Sequence, residues 1–179
     1  MTITQTEIPG AYLIIRKPYV DKRGSFARMF CRNELEAVGI NASIAQINLS
    51  ANNKKGTLRG LHYQLGDAAE DKLVTCISGV IFDVCVDLRE DSPTYMEWVG
   101  ETLSAENGLS LYVPKGCAHG YLSLSDNAGV LYFTTQFYIP NSEGGYRYDD
   151  PSFGIKWPLE KPYIMSDKDK NWHHFKEDV

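Results

Sequence analysis

The chain has little of what several common functions require. It holds four histidines and four cysteines in 179 residues. Cys31, Cys76, Cys85 and Cys117 form no CxxC pair and no zinc-type spacing, so buried thiols in a reducing cytosol are the simpler reading. No His-x-His stands on a strand-like segment: His62 is followed by Tyr63 and Gln64, and His119 by Gly120 and Tyr121. His173 and His174 are adjacent on an expected terminal helix, where their side chains diverge. A ligand set built from His62, His119 and one carboxylate would be improvised, so neither a metal nor another cofactor is expected. Basic charge is not in excess: the net charge of −5 excludes the electrostatic footprint of a nucleic-acid binder. It does not exclude a small anion held by a local basic cluster. No apolar run approaches membrane-spanning length, and the opening MTITQTEIPGAYLIIRK has no leader pattern, so a cytoplasmic protein without membrane contact is expected. Repeats, low-complexity tracts and linkers are missing too. Residues 1–179 are therefore expected to form a single domain, large enough to bury its apolar surface without covalent staples.

What is present points to β-structure. Aromatics make up 12% of the chain, eleven of them tyrosines. Short alternating segments recur between Gly, Pro, Asn, Asp and Ser: AYLIIRKPYV, SFARMF, ASIAQINLS, TLRGLHYQL, KLVTCIS, VIFDVCVDL, MEWVGETLS, LSLYVPKG, HGYLSLS and VLYFTTQFY. The spacing predicts an all-β fold, a double-stranded jelly-roll (cupin-like) barrel, which hides most strand edges and leaves a mouth for a ligand. Two short helices accompany it. One is NELEAVG, with a capping-box relation of Asn33 to Glu36 and a stop at Gly39; the other is SDKDKNWHHF, with Ser166 and Asp169 similarly related.

Strand parity selects the side chains that meet. In VLYFTTQFY, Tyr132, Thr134, Gln136 and Tyr138 share a polar face, which either lines a ligand cavity or is simply solvated. GTLRGLHYQL is less regular. Arg59 and His62 lie among apolar residues, and strict alternation sends them to opposite faces. They converge only if Gly60 inserts a bulge or sharp bend. Asp83 and Asp87 share a face with Cys85, and one of the two is expected to hold a partner in the barrel lining.

An ordered set of motifs runs from about residue 17 to residue 170: DKRGSF, QINLS, GTLRGLHYQ, DKLV, GVIFDVCVDLR, DSPTY, YVPKGCAHGYLSLSD, LYFTTQFY, DPSFGIKWP and SDKD. In order and spacing it closely resembles the dTDP-4-dehydrorhamnose 3,5-epimerase family. The resemblance implies a metal-free cupin-type jelly roll, a homodimer, and a nucleotide-sugar substrate carrying a 4-keto-6-deoxyhexose. C3 and C5 of such a sugar flank the carbonyl, so either proton can be removed if the enolate is stabilised. Inversion needs a base on one face and an acid on the other. The resemblance makes His62 the proton acceptor, Asp169 its carboxylate partner, Lys72 the cation facing the enolate oxygen and Tyr132 the acid. It assigns His119 and Tyr138 to the substrate site, and Arg23, Phe26, Gln46, Asn48, Arg59, Glu143 and Lys168 to nucleotide-sugar binding, where arginines suit a pyrophosphate.

Each residue also has a plainer reading. His62 could be a hydrogen-bonded structural histidine, and Asp169 could merely complete the Ser166 cap or serve both purposes. Lys72, beside Glu70 and Asp71, could belong to a solvated charge run, and Tyr132 could be a core tyrosine. Glu143, in NSEGG, reads on its own as loop. The chain also departs from the family pattern. Arg28 stands where an acid is usual after DKRGSF, and a cationic donor there would suit cytosine better than thymine. LGDAAED lacks the paired prolines usual before the lysine, and Cys117 replaces a Phe. The alternatives are thus a single-carbon epimerase acting on a CDP- or other nucleotide-linked sugar, a non-catalytic sugar-nucleotide binding module, and a metal cupin.

Overall fold

The structure, a computed structural model, describes residues 1–175. Two antiparallel sheets face each other. The first has the order β1 (Thr2–Gln5), β2 (Tyr12–Ile15), β10 (Leu109–Val113), β7 (Lys72–Ser78), β12 (Ala128–Thr134) and β5 (Gln46–Asn52). The second has the order β13 (Glu143–Gly145), β6 (Leu58–Gln64), β11 (Cys117–Ser123), β8 (Val80–Asp87) and β9 (Trp98–Ser104). A two-stranded ribbon, β3 (Tyr19–Asp21) with β4 (Gly24–Phe26), pairs with neither sheet. This is the expected jelly roll. The alternating segments became strands, with two additions: β1, and β13, which the glycines of NSEGG had made look like a loop.

Three apolar layers hold the barrel. Between the sheets lie Val74, Cys76, Ile81, Leu103, Leu111, Val113 and Val130. Outside the six-stranded sheet, Leu73, Tyr112 and Phe133 are covered by Leu35, Ile40 and Ala42. Outside the five-stranded sheet, Leu61, Val84, Val86 and Ala118 are covered by Tyr146 and Phe153. Leu111 has no exposed surface, so its truncation to alanine costs about 2–5 kcal/mol.

The interior changes character along the strands. β12 turns Val130 into the core, then Tyr132 and Thr134 into an open cavity; β7 turns Cys76 and Val74 into the core, then Lys72 into the cavity. One end of the barrel is thus filled and the other is polar and hollow. β5 reverses the usual pattern altogether. Its polar Gln46, Asn48 and Ser50 point to the cavity, while Ile47 and Leu49 are exposed on the outside.

The helices are short. α1 (Arg32–Glu36) is N-capped by Cys31 without a side-chain hydrogen bond, so the expected Asn33 capping box does not form. Asn33 lies inside the first turn, and Glu34 instead binds the terminal amine and Arg28. Gly39, at φ +81°, ends this segment as expected. α2 (Asp167–Lys170) is capped by Ser166, whose hydroxyl accepts from the Asp169 N–H at 3.1 Å.

Candidate active site

The cavity is built around an irregularity in β6. His62 pairs with His119 across the sheet, but Tyr121 pairs with Arg59, so three residues of β6 span two of β11. The extra residue falls at Gly60–Leu61 and turns Arg59 and His62 to the same face. Gly60 has φ +129°, and a Cβ there would meet the Gly120 Cα at 2.5 Å. Side chains are excluded from this crossing.

Two lobes of about 260 Å³ and 420 Å³ share His62, Lys72, Tyr132 and Glu143. The smaller lobe adds Arg59, His119, Ser50, Tyr121, Ser166, Lys168 and Asp169. The larger adds Gln46, Asn48, Tyr63, Gln64, Glu70, Thr134 and Tyr138.

His62 Nε2 lies 2.6 Å from Asp169 Oδ1. Burial presses the Asp169 carboxyl upward. The hydrogen bond and charge of His62, with bonds from Ser166 and the Gly60 N–H, outweigh it and hold the group below the usual carboxylate range. Asp169 therefore serves the helix cap with its backbone and His62 with its side chain. A neutral His62 donating from Nε2 has its Nδ1 lone pair free to accept a proton. Asp83, rather than Asp87, holds the partner in the lining: it lies 2.8 Å from His119 Nε2. Asp87 binds Arg89, Ser92 and Thr94 instead. Burial raises the Asp83 carboxyl despite the His119 charge and hydrogen bond, and among the described residues its buried Oδ2 finds no partner.

The Tyr132 hydroxyl is raised chiefly by burial; Arg59 opposes this, and Glu70 and Glu143 reinforce it. At the rim, Tyr138 and Lys168 both donate to Glu143 Oε2, at 2.6 Å and 2.5 Å. Arg59 is anchored through Nε to Asn52 Oδ1 at 3.0 Å, and Asn52 in turn donates to the Tyr121 hydroxyl. Among the described residues no three of His, Cys, Asp and Glu are grouped to hold a metal.

Eleven of the fourteen site residues expected from the sequence line this cavity, and three do not. Arg23 and Phe26 lie on the ribbon, beside a separate groove, with Arg23 bonded to Asp21 at 2.6 Å and Phe26 76% exposed. Arg28 pairs with Glu34 at 3.1 Å. The ribbon joins neither sheet, and its Arg23 and Phe26 lie outside the barrel interior.

The solvated charge run at residues 70–72 is corrected. Lys72 donates to Glu70 Oε1 at 2.5 Å with both side chains nearly buried, and Asp71 accepts from Asn41, Thr135 and the Lys115 N–H. Ser50, Tyr121, Gln64 and Glu70 are cavity residues that sequence reasoning did not select. The first three share parity with selected neighbours (Asn48, His119 and His62), and that signal could have found them. Glu70 precedes its strand, where parity says nothing.

Residues 5–177 match the family model described as dTDP-4-dehydrorhamnose 3,5-epimerase. An enzyme of that name from Shigella flexneri is 45% identical over 98% of this chain and 96% of its own length. The crystal structure of one from Elizabethkingia anophelis superposes with a TM-score of 0.95 at 39% identity, covering 99% of this chain and 97% of that one. A Legionella pneumophila dTDP-6-deoxy-D-glucose-3,5-epimerase, solved in complex with dTDP-4-keto-L-rhamnose, superposes with a TM-score of 0.93 at 40% identity, covering 98% and 93%.

Proposed function

Because the chain belongs to the dTDP-4-dehydrorhamnose 3,5-epimerase family, we propose that it inverts C3 and C5 of a dTDP-linked 4-keto-6-deoxyhexose as a single-domain isomerase. The observation that carries this reading is the wall shared by the two lobes, where His62, Lys72 and Tyr132 meet. In the proposed reaction His62 Nδ1 takes the proton next to the ketone while Asp169 stabilises the imidazolium. The Lys72 ammonium faces the oxygen on which charge develops, a contact worth most in a site shielded from water. Tyr132, its hydroxyl kept protonated by burial, returns a proton to the opposite face. His119 orients the sugar. Arg59, Gln46, Asn48, Tyr138, Glu143 and Lys168 hold the rest of the substrate, with guanidinium and ammonium groups suited to its phosphates.

The active unit in this reading is a homodimer. Ile47 and Leu49 on the outer face of β5, with Tyr19, Val20 and Phe26 on the ribbon, are each more than half exposed. Exposed apolar surface of this kind supports the reading of an interface. A second copy docked there would return Arg23, Phe26 and Arg28 to a substrate site, at the nucleotide end. A Leu49→Glu variant should run as a monomer in sedimentation, and a native-like dimer would refute that surface. Cys31, Cys76, Cys85 and Cys117 are all free thiols, which fits a cytoplasmic enzyme. Among the described residues no helix is long and apolar enough to cross a membrane.

The test is proton-exchange NMR in D2O, without added metal, on dTDP-, CDP- and GDP-linked 4-keto-6-deoxyhexoses. The expected result is uptake of two deuterons per product, at C3 and C5, with the dTDP sugar preferred. No uptake with any of them would remove the epimerase reading. One deuteron, or preference for the CDP sugar, would establish the narrower alternative suggested by Arg28.

A further inference from the structure

The loop before β7 places a carboxylate at the cavity wall that none of the proposed steps uses. Glu70 lines the larger lobe and accepts from Lys72 Nζ at 2.5 Å, with the two side chains 9% and 11% exposed. Its other oxygen accepts from Gln64 Nε2 at 3.1 Å. Gln64 is itself fixed: its amide nitrogen lies 3.0 Å from the Ala68 carbonyl and 3.1 Å from that of Phe137, and its Oε1 accepts from the Ile139 N–H at 2.8 Å. Gln64 follows His62 by two residues on β6 and shares its face. A relay thus runs from the strand that carries the base, through Gln64 and Glu70, to the ammonium.

A lysine has several rotatable bonds and a compact, strongly hydrated charge, so beside a 420 Å³ polar lobe it has many positions open to it. An ionised acceptor held at both oxygens reduces these to one. We propose that Glu70 is a positioning residue, which aims the Lys72 ammonium at the carbon–oxygen bond of the reacting ketone. The carboxylate acts through Lys72 rather than on the sugar, and the inference rests on the role given to Lys72 above.

A double-mutant cycle on the full-length enzyme tests it, with kcat and KM read for the dTDP-linked 4-ketosugar. Lys72→Met should lower kcat by about 10²–10³-fold, the loss typical of one oxyanion donor. Glu70→Ala should lower kcat by about 10-fold or more with KM nearly unchanged, and should have no further effect in the Lys72→Met background. Glu70→Gln keeps one neutral acceptor for Lys72 and should fall between native and Glu70→Ala. If Glu70→Ala does not fold, the cycle is run with Glu70→Gln. An equal loss in both backgrounds would make Glu70 merely structural and overturn the proposal. A native kcat for Glu70→Ala, or a faster Glu70→Gln, would overturn it too; the faster variant would mean that the carboxylate drains charge from Lys72. A native kcat for Lys72→Met would instead remove the role of Lys72 itself, and this proposal with it.

Discussion

Two histidine–carboxylate pairs stand side by side in one cavity, on paired positions of β6 and β11, yet their surroundings differ. His62 is bonded to Asp169, which also receives hydrogen bonds from Ser166 and the Gly60 N–H and stays below the usual carboxylate range. His119 is bonded to Asp83, which is fully buried, has an oxygen with no partner among the described residues and is raised by burial. An ionised, well-satisfied carboxylate can support an imidazolium, and one strained by desolvation supports it poorly. Similar contacts therefore point to different roles. His62 is suited to receiving a proton, and His119 to holding a hydrogen bond.

The comparison breaks most sharply at the histidines. His62→Asn should lower solvent-deuterium uptake at C3 and C5 by about 10²–10⁴-fold while nucleotide binding persists in calorimetry. Asp169→Asn should come next, with kcat reduced by about 10²-fold or more at nearly native KM, because the amide neither fixes the ring tautomer nor offsets its charge. His119→Asn should mainly raise KM and leave kcat within about 10-fold of native. A loss in kcat to rival that of His62→Asn would erase the distinction between the pairs.

Stability sharpens the same comparison with opposite signs. The Asp169 carboxyl is depressed in the folded chain, so its contribution is present above the unfolded value near 4 and is lost as pH falls through the folded one. Asp169→Asn should thus melt below native at pH 7, the gap closing in acid. The Asp83 carboxyl is raised, so its ionisation weakens the fold as pH climbs from the unfolded value through the folded one. Asp83→Asn, still able to bond His119, should melt at or above native at pH 7, by about 2–4 °C for each kcal/mol recovered. Its advantage should vanish near pH 3. A clear loss of Tm in Asp83→Asn at neutral pH would show that the buried charge stabilises the barrel.

Much of this was legible in the chain because a strand has a period of two. Alternation located the strands, and parity put Tyr132 and Thr134 together. The conflict between Arg59 and His62 called for a bulge at Gly60, which is where the register shifts. Pairings set by tertiary approach were less legible. β13 is a strand because Gly144 and Gly145 let the chain lie against Tyr63 and Trp172, where added Cβ atoms would meet ring carbons at 2.6 Å and 2.4 Å. Asn33 had the right spacing for a cap, but the helix begins at Arg32. Glu70 reads as a surface acid until the fold brings Gln64 to it. Arg23 and Phe26 sit on a ribbon that joins neither sheet, and Arg28, just beyond it, pairs with Glu34, so all three lie outside the cavity.

The crossing of Gly60 over Gly120 has an evolutionary consequence. With a Cβ excluded at Gly60 and atoms at 3.0 Å from one built on Gly120, substitution is directed to other cavity residues, such as Ser50 and Thr134. Descendants of this scaffold can acquire new sugars by altering those neighbours while the fulcrum that presents the imidazole stays put. An alanine at position 60 would move the guanidinium and the imidazole together, and no single compensating change elsewhere on the wall would restore both.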